Sequence, residues 1–197
     1  MGRMSALVPR WSTAVFTLGL ALVVTAPCPA QDLQQIDKST ITIYDYFEAF
    51  PGYDVANCLD KTAGGTLDQF ITDYASHGGG TATYISFDFG QQYNFLAILY
   101  TDRTTSGGPN NKFFGGTSDF NTSYMFTFSN DPTFATSVAQ YVVTVNPPTA
   151  PTSVDSFQTL SILPAIPPCE YVQWQVLATG FQNPGAADFA FFGNPAQ

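Results

Sequence analysis

Tyr84-Ile85-Ser86-Phe87-Asp88-Phe89 alternates polar and apolar positions, so that an extended backbone would put Ile85, Phe87 and Phe89 on one face. The stretch 171–177 repeats the pattern with Val172, Trp174 and Val176. A face carrying three large apolar side chains must be buried, so each stretch reads as a strand with one side in a core. Working outward, the runs 39–44, 95–100, 124–129, 141–145, 157–163 and 188–192 read as further strands. No helical period of any length interrupts them, and Gly and Pro punctuate the chain at short intervals. Eight short strands separated by turn-rich loops predict an all-β protein, a jelly-roll sandwich of two antiparallel sheets.

Composition agrees with that reading. Charged residues are 11% of the chain and aromatics 15%, the balance of an exported β-protein rather than a helical one. Arg3 and Arg10 precede an apolar or small run over 14–26, too short to span a bilayer, and Cys28-Pro29-Ala30 precedes Gln31. Residues 1–30 are therefore expected to be a secretory signal and 31–197 a single secreted or cell-surface domain. Taking Arg3 and Arg10 from the six basic residues leaves four against fifteen acids, a net charge of −11. Such a surface lacks the clustered cations that nucleic acid or an anionic membrane requires, and both are excluded as expected partners. Cys58 and Cys169 remain after processing. In an oxidising compartment they are expected to form a disulfide, worth about 4 to 5 kcal/mol by the chain-entropy argument.

Two connections are long: 57–81, which carries His77 followed by three glycines, and 101–123, rich in Gly, Asn and Thr. Connections of that length tend to be functional. The Pro-rich stretch 147–151 reads as a link that bars strand pairing. Asn121-Thr122-Ser123 fits an N-glycosylation acceptor on a predicted loop.

Several fragments in order resemble the discoidin-like, galactose-binding-like domains, which include coagulation factor V/VIII C-type domains and many bacterial carbohydrate-binding modules. Val55-Ala56-Asn57-Cys58-Leu59-Asp60 resembles the family's opening "A-x-N-x-x-D-G", and Thr66 the threonine of the following "T-x-W". Ile85-Ser86-Phe87-Asp88-Phe89-Gly90 resembles the strand ending in "D-L-G". Phe126-Thr127-Phe128-Ser129-Asn130-Asp131 resembles "V-S-x-D", Tyr171-Val172-Gln173-Trp174 resembles "Y-V-R-W", and the stretch 183–193 resembles the closing "A-E-I-x-x-Y-G". The resemblance spans nearly all of 31–197. Departures include Val55 for the opening Ala, Lys61 for Gly, no Trp after Thr66, Gln173 for Arg and Asp188 for Glu.

The resemblance implies a binding module whose loops at one end of the sandwich meet an extracellular glycan or a cell-surface glycoprotein. It implies a polar sugar-binding set of His77, Arg103 and Asn110 or Asn111, with Phe181 as apolar platform and Phe113, Phe114 or Tyr124 as alternatives. It also implies a structural Ca2+ held by Asp60, Thr66 and Asp188, since that cation takes six to eight oxygen ligands. The plainer readings are that Arg103 pairs with Asp102 or Asp119 and that Asp188 ends a strand. No catalytic cofactor and no catalysis are expected. One histidine, no Gly-x-Ser-x-Gly elbow and no cluster for catalytic zinc leave only neighbouring carboxylates such as Asp45 and Glu48. The alternative function is an extracellular structural or adhesion protein that binds another protein.

Overall fold

The computed structural model describes residues 33–59, 73–103, 120–147, 157–180 and 183–197. The expected signal over 1–30 lies outside them. Eight strands follow in order: β1 (Thr42–Tyr46), β2 (Tyr74–Ala75), β3 (Tyr84–Asp102), β4 (Asn121–Ser129), β5 (Ala139–Thr144), β6 (Gln158–Ile162), β7 (Cys169–Thr179) and β8 (Gly185–Pro195). No α-helix occurs among the described residues.

The long strand β3 belongs to two layers. Its first half lies between β1 and β7, with Thr42 opposite Asp88 and Ile85 opposite Trp174, and the layer continues through β4 to β5. Its second half lies between β8 and β6, with Ile98 opposite Phe191 on one side and Ser161 on the other, and β2 extends that layer beyond β8. Every pairing is antiparallel. The change of layer falls at Gly90, whose φ of 68° is a left-handed conformation that side chains disfavour. Its amide donates to the Asp88 carboxylate at 2.7 Å, which holds the corner. The expected strands at 84–89 and 95–100 are thus one bent strand. The pair β2 is too short for a sequence pattern to reveal. Ser39 lies in the 3-10 turn Lys38–Thr40, because Asp37 caps its amide at 2.9 Å.

Both periodic stretches bury the faces the alternation predicts: Ile85, Phe87, Phe89, Val172, Trp174 and Val176 are all buried. Rings from opposite layers meet edge-on or tilted. Phe87 meets Phe189 and Phe191 at 5.1 Å between centroids, and Tyr100 meets Tyr124 at 4.5 Å and Trp174 at 5.5 Å.

Two expectations fail here. Cys58 and Cys169 are both buried but are not bonded to each other. Cys58 ends a 3-10 turn that packs on β8 and on β2, which pairs with Gly185 and Ala186 at the start of β8, whereas Cys169 faces Tyr93, which also faces Pro195 at the end of β8. Nine residues of strand separate the two levels, about 30 Å, while a disulfide needs Cα atoms within about 7 Å. Asn121, expected on a loop, opens β4 and is fully buried, so the folded chain does not offer it as a glycosylation acceptor.

Candidate functional site

At the end of the sandwich away from the Gly90 corner, three stretches of chain interlock. Phe50 N–H donates to Ala75 O at 2.7 Å and His77 N–H to Glu48 O at 2.8 Å, which ties the segment after β1 to the segment after β2. Ser76 N–H donates to Pro184 O at 2.9 Å, and Gly78 N–H to the Asn183 side-chain oxygen at 2.8 Å, which adds the entry to β8. Gly185 is needed in this knot because a Cβ there would overlap the Tyr74 carbonyl.

Arg103 follows the last residue of β3 and reaches into the junction. Its Nε donates to Asp73 Oδ2 at 2.8 Å, its Nη1 donates to Asn183 O at 2.9 Å, and its guanidinium lies 4.8 Å from the centre of the Tyr53 ring. Both members of the Arg103–Asp73 pair are buried. The expected alternative partner Asp102 engages Arg103 only through the backbone, accepting its N–H at 2.8 Å. Asp119 lies outside the described residues.

Beneath Arg103 is a buried polar floor. Asn121 donates its backbone N–H to Asp102 Oδ2 and its side-chain amide to Asp102 Oδ1, Tyr100 Oη and Gly185 O, all at 2.8 to 2.9 Å. Tyr100 O–H donates to Asp102 Oδ1 at 3.0 Å. Desolvation pushes the Asp102 carboxyl well above the usual carboxylate range, against the downward pull of the Asn121 and Arg103 amides. Desolvation likewise pushes the Tyr100 hydroxyl up, aided by the neighbouring Asp102 charge.

Above Arg103 is an aromatic rim. Phe50 meets Tyr53 at 5.9 Å and His77 at 5.5 Å, both edge-on. The His77 side chain is 53% exposed, and its Nδ1 lies 3.7 Å from a Glu48 carboxylate that is itself open to solvent. Exposed rings beside convergent polar groups are what a shallow polyol site requires.

The structure therefore brings His77 and Arg103 to one end: Arg103 donates to the Asn183 carbonyl, and Gly78, the neighbour of His77, donates to the Asn183 side chain. Asn110, Asn111, Phe181, Phe113 and Phe114 lie outside the described residues. Tyr124 is not on a loop: it lies in β4, fully buried against Tyr100 and Phe126, and supplies no platform. Phe50, Tyr53, Asp73 and Asn183 were missed by sequence reasoning. A Phe-Pro-Gly-Tyr turn signal at 50–53 was the clue available. Of the carboxylates weighed for acid–base work, Asp45 accepts from Tyr84 O–H at 3.2 Å and Glu48 faces His77.

Of the residues expected to hold calcium, only Asp188 is among those described. Asp60 and Thr66 lie outside the described residues. Asp188 is buried on β8, and both its oxygens accept from Lys38 Nζ, at 2.6 and 2.7 Å. No group of three or more His, Cys, Asp or Glu able to hold a metal occurs among the described residues.

No known protein-family profile matches the chain, and no curated protein matches it in sequence. Solved structures do match in fold. The family 32 carbohydrate-binding module of Clostridium perfringens NanJ, in complex with galactose, superposes with a TM-score of 0.57 at 14% identity, covering 80% of this chain and 97% of that one. A third such module from a Clostridium perfringens family 31 glycoside hydrolase gives 0.58 at 16%, covering 81% and 95%. Another Clostridium perfringens module of that type, in complex with GalNAc-β-1,3-galactose, gives 0.56 at 10%, covering 81% and 99%. The fold matches the β-sandwich of these family 32 carbohydrate-binding modules. These structural neighbours are binding modules rather than catalytic domains.

Proposed function

We propose that this chain is a secreted, non-catalytic glycan-binding module whose site is the rim formed by Phe50, Tyr53 and His77 above Arg103. The observation that carries the reading is the convergence of the Phe50, Tyr53 and His77 rings with Asn183 and a buried guanidinium at one end of the sandwich, in a fold with neighbours solved in complex with galactose or GalNAc-β-1,3-galactose. Phe50 offers an apolar edge to the C–H face of a sugar, and His77 and Glu48 offer hydrogen bonds to its hydroxyls. Arg103 acts from below by fixing Tyr53 and the backbone of Asn183. A shallow one-sugar site of this kind is expected to bind with Kd of roughly 0.1 to 1 mM.

A glycan array followed by titration of the best sugar tests the reading. Phe50→Ala and His77→Ala should each abolish measurable binding while leaving the melting temperature nearly unchanged. Full binding in both variants would move the site elsewhere. A second reading, adhesion to another protein, is favoured by Leu160 and Ile162, which are 52% and 59% exposed on β6. Capture of a host surface protein that Leu160→Ser abolishes, with an empty glycan array, would select it.

A further inference from the structure

Asp188 lies between Ala187 and Phe189 on β8, and Phe189 points into the core against Phe87, Tyr100 and Trp174. Alternation along the strand therefore turns Asp188 to the outer side of its layer. A carboxylate there would ordinarily meet water, yet Asp188 is only 3% exposed. A buried carboxylate is kept ionised only where a cation or several donors compensate it, and a buried acid without them is protonated instead.

Here the compensating cation is part of the chain. Lys38, in the 3-10 turn ahead of β1, places its ammonium on both carboxylate oxygens, and its side chain is only 12% exposed. Its stem shares a pocket of about 410 Å³ with Ile41, Ile43, Tyr46, Val55, Ala56 and Leu59, none of which carries a carboxylate. The aliphatic part of the lysine suits such walls while its head reaches the charge. A calcium ion would ask for six to eight oxygens and would have to displace an ammonium already in place on both oxygens of Asp188.

We infer that Lys38 supplies to Asp188, from the chain itself, the positive charge that a divalent cation would otherwise bring, so that the contact between the 3-10 turn and β8 is locked without metal. Position 38 is then the determinant of metal independence at β8. The proposal concerns the scaffold and stands apart from the glycan reading.

The full chain tests it by thermal melting in EDTA and in millimolar calcium, as wild type and as Lys38→Met, Lys38→Arg, Asp188→Asn and the Lys38→Met/Asp188→Asn pair. The expected result is a wild-type melting temperature indifferent to calcium. Lys38→Met should melt well below wild type, Lys38→Arg should recover most of the loss, and the double variant should melt no lower than Lys38→Met. A wild-type melt that rises with calcium, with the rise lost in Asp188→Asn, would overturn the inference, as would strictly additive losses in the double variant. A calcium response retained in full by Asp188→Asn would place the ion away from Asp188 and support it. If Lys38→Met does not fold, Lys38→Arg and Asp188→Asn still decide the calcium arm.

Discussion

Between the layers, Trp174, Phe87 and Phe189 meet other rings, while at the loop end Asp102, Asn121 and Arg103 are also buried but meet hydrogen-bonding groups. Apolar contact is non-directional, so the middle of the sandwich accepts any shape that fills it. The loop end is directional: each donor has to find its acceptor, or a buried polar group is left unsatisfied. The middle therefore specifies the scaffold, and the loop end specifies the positions of Tyr53, His77 and Asn183.

The strongest way to break the contrast is to remove its largest apolar member. Trp174→Ala is expected to cost about 4 kcal/mol in a urea titration, through lost burial and the cavity left behind. Trp174→Phe should cost well under half of that, because the indole N–H finds no acceptor among the described residues and nothing directional is lost. Equal losses in the two variants would mean that the middle is held by geometry as specific as that of the loop end.

Next in size is Arg103→Met, expected to cost about 3 kcal/mol because it removes the guanidinium paired with the buried Asp73 carboxylate. Combining it with Asp73→Asn should recover part of the loss, which two independent sites would not do. The same variant should weaken sugar binding more than its stability loss explains, since Tyr53 and Asn183 lose their common support.

A smaller and pH-dependent effect comes from Asp102. Its folded value lies above the ordinary 3.8, so the unfolded chain releases its proton first as pH rises. Through that window the folded state binds the extra proton, and the contribution of Asp102 falls with rising pH until the folded carboxyl also ionises. Melting curves recorded upward from about pH 4 should show this decline in the wild type and lose it in Asp102→Asn. An unchanged slope in the variant would assign the decline to another group.

The same contrast decides what was legible in the sequence. Alternation is a local property of the chain, so Ile85, Phe87, Val172 and Trp174 announced their buried faces, and with them the sandwich. The loop-end contacts join residues remote in sequence: Arg103 reaches Asp73, and Gly78 reaches Asn183. No spacing rule reports such pairs, and of the loop-end residues that are described the resemblance supplied only His77 and Arg103. It also gave Asp188 a role without revealing Lys38, because the lysine sits 150 residues earlier in the chain.

The smallest expected effect is none at all, and it concerns the two cysteines, one near each end of the sandwich. Burial pushes the Cys169 thiol up to about 12, so at neutral pH almost none of it is the reactive thiolate. Cys58 donates its S–H to Val55 O at 2.9 Å, within its own turn. Dithiothreitol should leave the melting temperature unchanged, and a thiol reagent should modify Cys169 only as fast as the chain opens. A melting temperature that drops on reduction would mean that the two ends are bridged. That would require the level of Cys58 and the level of Cys169 to come together, which the full length of β8 between them forbids without remaking the second layer.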